Sequence, residues 1–212
     1  MVQEKGTAVA AGQAAGQESG VTILPATAAR WPDFEALMGA RGGYGGCWCM
    51  AWRLQRRAFE AGSGAGNRAA MKALFESGAE PGLIAYDGAL PVGWCSVAPR
   101  ADFPRLDRSR VLKPVDDRPG DDREVWSLSC FLIRKSHRNR GISRALLVAA
   151  GDFVAARGGR ILEGYPIDPK TTPYPSVYAW TGLASAFRAA GFEEVLRRSD
   201  TRPILRKRLA AE

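Results

Sequence analysis

The sequence predicts one mixed α/β domain, with a mostly antiparallel central sheet flanked by helices and a single central β-α-β crossover. Strand-like runs on either side of Asp87-Gly88 predict an antiparallel hairpin, because this dipeptide suits a tight turn. Residues 124–166 read as strand, helix and strand, which is the order of a right-handed parallel crossover. A further helix and two strand-like runs close the chain.

The first part of the chain is predicted to contain a tail, a short strand and two helices. Residues 1–20 are small and polar and bury too little to offset ordering entropy, so we expect a flexible tail before a domain over residues 21–212. Val21 to Leu24 can form a strand. Apolar residues recur at helical spacing in Trp31 to Met38 and in Asn67 to Ser77.

The hairpin and the crossover make up the middle of the chain. The hairpin strands are Leu83 to Tyr86 and Val92 to Val97, and a polar loop over residues 102–123 follows. Glu124 to Ile133 has the strongest strand pattern, and Ile142 to Arg157 the strongest helix pattern. We therefore place the core of the domain around this strand and this helix.

The last part of the chain returns to the sheet. The predicted elements, in order, are a strand over Arg160 to Pro166, a loop over Ile167 to Tyr178, a helix over Leu183 to Ala190, and strands over Phe192 to Arg198 and Pro203 to Leu209.

Composition narrows the possible partners and the compartment. Lys and Arg outnumber Asp and Glu by 30 to 22 in 212 residues, which favours anionic partners. The basic residues are spread along the chain, so we expect no nucleic acid. No apolar run is long enough to predict a membrane span, and no secretory signal is recognisable. We expect a cytoplasmic protein whose four cysteines are reduced.

The turn between the crossover strand and its helix has the features of an anion site. It reads IRKSHRNRGIS from Ile133 to Ser143. Amides at a helix start lack internal partners, and the helix dipole is positive there. Gly141 lets the backbone approach a phosphate, and Arg138, Arg140 and Arg144 add charge. The nucleotide-binding patterns GxGxxG and GxxxxGK[ST] are absent.

This turn resembles the acyl-coenzyme-A loop of the GNAT N-acetyltransferase superfamily. That family shows Arg or Gln, two residues, Gly, one residue, then Gly or Ala, which Arg138, Gly141 and Ser143 match with serine as a departure. The predicted helix that ends at Gly191-Phe192 also matches the order of elements in that family. The stretches CWCMAWR, PVGWCSVAPR, WSLSCF and EGYP resemble a bacterial subgroup whose acceptors are not assigned.

The resemblance implies an acetyl-CoA-dependent N-acetyltransferase that transfers acetyl directly to an amine. Backbone amides of the turn would hold the pyrophosphate, and the pantetheine arm would lie along the crossover strand. The implied coenzyme-binding residues are Cys130, Phe131, Leu132, Ile133, Arg138, Asn139, Arg140, Gly141, Ile142, Ser143 and Arg144. For His137 we expect packing or a place beside a phosphate. Acetyl-CoA is then the acyl-donor substrate, and no metal is expected.

The implied acid and base are less clear from the sequence. The family often has a tyrosine four residues before the glycine of GF, where this chain has Phe187. We consider Tyr178, or Tyr174, as a substitute acid. Glu163 is our first choice of base, because burial on a central strand would raise its pKa. Glu124 and the loop residues Asp116, Asp117 and Asp168 are alternatives.

The stretch GGCWCMAWR, residues 45–53, lies where the family commonly forms the acceptor side. Trp48 and Trp52 would share one face if the segment were helical, and Arg53 would hold an acceptor carboxylate. Core packing is the alternative for these residues and the favoured one for Cys47 and Cys49. A zinc site from the four cysteines is not expected, because CxC differs from the usual CxxC knuckle.

Several functions remain open at this level. The favoured one is acetylation of a small-molecule amine. The alternatives are a non-catalytic acyl-CoA-binding or regulatory protein, which Phe187 motivates, and then a cysteine-based zinc or thiol sensor. The sequence does not determine the oligomeric state, and a homodimer is compatible with it.

Overall fold

The protein is described by a computed structural model over residues 20–115, 123–171, 174–175 and 177–210. One sheet of seven strands has the order β1-β2-β3-β4-β5-β7-β6. The strands are β1 (Thr22–Pro25), β2 (Gly82–Asp87), β3 (Leu90–Pro99), β4 (Val125–Ile133), β5 (Ile161–Gly164), β6 (Glu193–Arg197) and β7 (Pro203–Arg208). The helices are α1 (Trp31–Met38), α2 (Arg56–Ala61), α3 (Ala65–Glu76), α4 (Pro104–Asp107), α5 (Ile142–Ala155) and α6 (Ala184–Ala189).

The pairing of the strands confirms the predicted fold class. Strands β1 to β4 pair antiparallel in succession, and β7 pairs antiparallel with both β5 and β6. The pair β4 and β5 is parallel, and α5 connects these two strands. The mixed sheet with one central crossover is therefore present as predicted.

The two faces of the sheet are covered by different parts of the chain. Helices α5 and α6 pack on one face, where Leu146, Phe153 and Phe187 are buried. Helices α1 and α3 pack on the other face, together with the segment that contains Trp48 and Cys49, around Trp31, Phe34 and other aromatic residues. Strand β4 lies at the centre of the sheet and is buried over most of its length, because apolar layers cover both faces.

The sheet opens at its centre. Strand β5 pairs with β4 only from Val125 to Leu128, and β4 continues for five residues beyond the last of these pairs. The register between β3 and β4 also shifts between Ser96 and Val97, so that Ser129 is left out of the ladder as a β-bulge. The result is a cleft beside the second half of β4.

Some local predictions differ from the structure. Helices α2 and α4 lie in stretches without a predicted element, since both are short and neither has a clear apolar period. The segment from Cys47 to Leu54 is a series of turns and not a helix, because Trp48 and Cys49 have φ angles of 45° and 56°. Trp48 and Trp52 therefore do not share a helix face.

Some predictions fall outside the described residues. They concern the tail, of which only Gly20 is described, and the loop candidates Asp116 and Asp117. Within the described ranges, no helix combines the length and the apolarity that a membrane crossing requires.

Candidate functional site

A cavity of about 1020 Å³ lies at the opening between β4 and β5. Its wall comes from the second half of β4, the turn into α5, the segment after α1, Arg105 on α4, and residues between Tyr174 and Ala186. This volume is at the upper end of the usual range for small-molecule sites, roughly 300–1,000 Å³. The cavity therefore has room for a large ligand or for two ligands.

The turn from β4 into α5 has the backbone geometry of an anion site. Gly141 caps the 14-residue helix α5 with a φ of 74°, a left-handed conformation that glycine adopts without strain. A Cβ atom at Gly141 would meet nothing within 4 Å, so the backbone here faces open space. The first amides of α5 are consequently accessible to an anion.

Ten of the eleven predicted coenzyme-binding residues line the cavity. They are Cys130, Phe131, Leu132 and Ile133 from β4, and Arg138, Asn139, Gly141, Ile142, Ser143 and Arg144 from the turn and α5. Arg140 is exposed and is not part of the lining. His137 also lines the cavity, with its Nε2 atom 3.3 Å from Asp87.

The free edge of β4 is partly occupied by the chain itself. The Phe131 amide donates a 2.6 Å hydrogen bond to the Trp180 carbonyl, in the loop between β5 and α6. The Arg134 amide donates to Val92 on β3, on the other side of the strand. Because successive amides alternate along a strand, the Ile133 amide faces the same side as that of Phe131.

Aromatic residues form the opposite part of the cavity, which we call the tryptophan wall: Trp52, Phe59 and Trp180. The rings of Trp52 and Trp180 stack with centroids 6.0 Å apart. The Arg105 guanidinium lies 5.7 Å from the ring centroids of both Trp52 and Phe59. Of the predicted acceptor residues, Trp52 alone belongs to the cavity lining.

Trp48 and Arg53 are buried away from the cavity lining. Trp48 stacks on Trp31 with centroids 6.1 Å apart. Arg53 donates a 3.0 Å hydrogen bond to the Pro81 carbonyl and lies 3.9 Å from the Asp102 carboxylate. Burial lowers the pKa of Arg53 to about 10, although the Asp102 charge opposes the shift. Trp48 therefore packs in the core, the alternative that the sequence left open for it, and Arg53 contacts groups of the chain itself.

Glu163 is fully buried and is not part of the cavity lining. Its Oε1 atom accepts hydrogen bonds from Arg100 at 2.9 Å and from the Tyr165 hydroxyl at 2.6 Å. Its Oε2 atom accepts from Arg206 at 2.6 Å. Burial and the neighbouring Glu163 charge raise the pKa of Tyr165. Glu163 therefore belongs to a buried hydrogen-bond and ion-pair network outside the cavity lining.

Of the two tyrosines considered as substitute acids, only one lines the cavity. Tyr178 is 59% exposed and does not line the cavity. Its ring packs at an angle against that of Tyr174, which does line the cavity. Phe187, at the family's tyrosine position, is fully buried and packs against Phe131 and Phe192. It is a core residue of the face that α5 and α6 cover.

Three of the four cysteines meet at the cavity. Cys47, Cys49 and Cys130 line it, and the Cys49 and Cys130 sulfurs are 3.1 Å apart. The hydrogen bond to Cys130, together with burial, raises the pKa of Cys49; the hydrogen bond to Cys49 and burial raise that of Cys47. Cys95 is buried on the opposite face. Among the described residues, no three His, Cys, Asp or Glu side chains are arranged to hold a metal.

Several residues of the cavity were not found from the sequence, among them Phe59, Arg105 and Trp180. Arg105 lies in a loop-like, charged stretch, and Trp180 lies in a long loop, so neither carries a local pattern. A signal for Arg105 would have needed the long-range contact between its amide and the Trp52 carbonyl at 3.4 Å.

Comparison with known proteins identifies the fold. No family model and no curated protein matches the chain. Among solved structures, a GCN5-related N-acetyltransferase from Kribbella flavida shares 14% identity over 90% of this chain and 98% of its own, with a TM-score of 0.52. An acetyltransferase of the GNAT family from Streptococcus pneumoniae shares 14% identity over 90% and 99%, with a TM-score of 0.52.

A third similar structure was solved with a bound ligand. A GNAT superfamily phosphinothricin acetyltransferase from Sinorhizobium meliloti, solved with acetyl-CoA, shares 16% identity over 90% of this chain and 89% of its own, with a TM-score of 0.51. Sequence identities at this level indicate a shared fold and do not indicate shared substrates. The chain therefore has the fold of the GNAT acetyltransferases.

Proposed function

We propose that this protein is an acetyl-CoA-dependent N-acetyltransferase that transfers acetyl directly to the amine of a small molecule. One observation carries the proposal: in a GNAT fold, a single cavity joins the glycine-containing turn before α5 to the free edge of β4 and to an aromatic wall. The anionic donor and the acceptor would each use one side of this cavity.

The turn side of the cavity fits the donor. The pyrophosphate would accept hydrogen bonds from the amides between Arg138 and Ser143, where the helix dipole also favours negative charge. Arg138 and Arg144 line the cavity and would add charge. The pantetheine arm would run along Cys130 to Ile133, beside the part of β4 that β5 leaves unpaired.

The transfer itself needs few protein groups. The neutral amine attacks the thioester carbonyl, the N–C bond forms, and the C–S bond breaks as the thiolate leaves. The proton that the nitrogen loses is taken up by the thiolate or by water. An ordinary thiol has a pKa of about 8.5, so the thiolate leaves without full protonation and Phe187 does not forbid the reaction. A β4 amide would stabilise the oxyanion, either that of Ile133 or that of Phe131 once Trp180 releases it.

The cavity wall supports a small-molecule acceptor. The tryptophan wall bounds a concave site, and enclosed apolar sites with few polar groups are typical of small ligands. We assign no catalytic role to Glu163, whose oxygens are already bound to Arg100, Tyr165 and Arg206. Of the two tyrosines considered as substitute acids, we prefer Tyr174 to Tyr178, since Tyr174 lines the cavity.

The donor site is tested by titrating acetyl-CoA into the purified protein by calorimetry. We expect one site with a micromolar Kd. Gly141→Val should raise that Kd at least tenfold, because valine is strained at a φ of 74° and its side chain would crowd the phosphates. Gly158→Val is the matched control, at the other end of α5 with a φ of 78° and open space. Absence of binding near millimolar concentrations would refute the proposal.

A second candidate is a protein that binds acyl-CoA without transferring the acyl group. The buried positions of Phe187 and Glu163 favour it, because neither offers an acid or a base to the cavity. This candidate predicts the same calorimetric binding. It also predicts that no coenzyme A is released across a broad panel of amines.

A further inference from the structure

The charges of the cavity wall are of one sign. Arg105, Arg138 and Arg144 line it, and none of its described lining residues is an aspartate or a glutamate. A protonated amine entering this cavity would meet positive groups and no carboxylate partner. An alkylamine, which is mostly protonated at neutral pH, would therefore be bound poorly, because no carboxylate of the described lining would pair with its ammonium group.

Arg105 is the charge that the donor does not explain. It comes from α4, next to the tryptophan wall, whereas Arg138 and Arg144 come from the turn and α5. Its Nη1 atom donates a 2.6 Å hydrogen bond to the neutral Ala51 carbonyl. No carboxylate within the described ranges forms an ion pair with it, whereas Arg53 and Arg100 pair with Asp102 and Glu163.

The surroundings of Arg105 indicate the kind of anion. The guanidinium lies over the rings of Trp52 and Phe59, and Trp52 stacks on Trp180. A ligand held here would have a flat apolar body against the aromatic residues and an acidic group within reach of a planar guanidinium, which binds carboxylates well. A purely apolar amine would leave Arg105 without a charged partner.

We propose that the acceptor is an aromatic amine that carries a carboxylate, with its ring on the tryptophan wall and its carboxylate on Arg105. This inference rests on the proposed function. The nitrogen of an aromatic amine shares its lone pair with the ring and is therefore unprotonated at neutral pH. Such an acceptor needs no carboxylate to pair with an ammonium group, and the described lining offers none.

The reaction is balanced without a further reactant. The aryl nitrogen attacks the acetyl carbonyl, the N–C bond forms and the C–S bond breaks. The proton lost from nitrogen is taken up by the departing thiolate or by water. The products are an N-aryl acetamide and coenzyme A.

The test compares four acceptors that separate the amine from the carboxylate. They are 4-aminobenzoate, aniline, 4-(aminomethyl)benzoate and benzylamine, each with acetyl-CoA and with product measured chromatographically. We expect 4-aminobenzoate to have the highest kcat/KM, roughly tenfold or more above aniline, since a charge-assisted contact of this kind is worth that much. It should exceed 4-(aminomethyl)benzoate by at least the same factor.

Variants assign the preference to Arg105. Arg105→Ala should remove the advantage of 4-aminobenzoate over aniline, and Arg105→Lys should restore part of it. Arg57→Ala is the matched control, because Arg57 is an exposed arginine on the neighbouring α2 that does not line the cavity. A non-reactive probe gives a second readout: benzoate should quench tryptophan fluorescence in the wild type and less so in Arg105→Ala.

The outcomes separate this inference from the proposed function. Loss of acetyl-CoA binding by the wild type would remove the basis of both. Intact acetyl-CoA binding with faster acetylation of benzylamine than of 4-aminobenzoate would overturn the inference and leave the proposed function standing. Intact acetyl-CoA binding with no acetylation of any of the four amines would also overturn it.

Discussion

The turn side of the cavity is formed by one continuous run of the chain, whereas the tryptophan wall and Arg105 come from three separate segments. Residues 130–144 supply the end of β4, the turn and the start of α5 in sequence order. Trp52 and Phe59, Arg105, and Trp180 are tens of residues apart and meet through tertiary packing. A ligand site made of backbone can thus be encoded locally, while one made of side chains depends on the whole fold.

The largest expected effect concerns Glu163, which lies near the opening but serves the fold. Glu163→Gln should lower the free energy of unfolding by about 3 kcal/mol or more, since it removes the charge of the fully buried carboxylate that pairs with the partly buried Arg100 and Arg206. Chemical denaturation measures it. Glu60→Gln is the control, because that carboxylate is exposed and pairs only with exposed Arg56, so its loss should cost less than about 0.5 kcal/mol.

Catalysis gives the opposing outcome for the same variant. If Glu163 were the general base, Glu163→Gln would abolish acetyl transfer while leaving the denaturation midpoint almost unchanged. That result would give Glu163 a role in the chemistry of the cavity and would contradict its structural role.

The next effect separates the two sides directly. Arg138→Ala should raise the Kd for acetyl-CoA roughly three- to tenfold, because an exposed contact with a phosphate is worth about 1 kcal/mol. Trp52→Ala should leave that Kd nearly unchanged and lower kcat/KM for the acceptor about tenfold or more, since aromatic anchors dominate such contacts. Calorimetry and steady-state kinetics measure the two parameters. Equal effects of both variants on both parameters would show that the sides are not independent.

The sequence predicted most of the residues that line the turn side of the cavity, for the same physical reason. A helix start, a glycine with positive φ and neighbouring arginines are local features, so Arg138 to Ser143 could be recognised without tertiary information. Of that group, Arg140 is exposed outside the lining, because which face of a turn a side chain takes is not a local property.

The acceptor side was predicted less well. Trp48 and Trp52 were expected on one face of a helix, but positive φ angles at Trp48 and Cys49 turn the chain and bury Trp48 under Trp31. Glu163 was predicted to be a buried carboxylate and was our first choice of base; it is buried, but its partners Arg100 and Arg206 are more than 40 residues away in either direction and could not be identified from the sequence. Long-range pairs of this kind determine the role of a charged residue, and a single sequence does not show them.

The smallest effect concerns the loop that carries Trp180. Asp168 begins this loop and accepts hydrogen bonds from Arg188 on α6 at 3.0 Å and Arg197 on β6 at 2.7 Å. These contacts lower the pKa of Asp168. Asp168→Asn should cost less than about 1 kcal/mol of unfolding free energy at pH 7, because the ion pairs lie at the surface. It should raise the acceptor KM slightly and leave the acetyl-CoA Kd alone.

The pH dependence of this small difference has a definite sign. A carboxyl whose pKa is lowered by folding adds stability above its unfolded pKa, near 3.9 for aspartate, and loses that stability as the pH falls through the folded pKa. The gap between wild type and Asp168→Asn should therefore be constant from pH 7 to about 5 and shrink below about pH 4, as followed by denaturation at each pH. A gap that widens on acidification would mean that Asp168 is protonated in the folded protein. The loop that carries Trp180 would then be held to the sheet by packing and by the hydrogen bond from the Phe131 amide to the Trp180 carbonyl. In that case both sides of the cavity would depend on one anchor, strand β4.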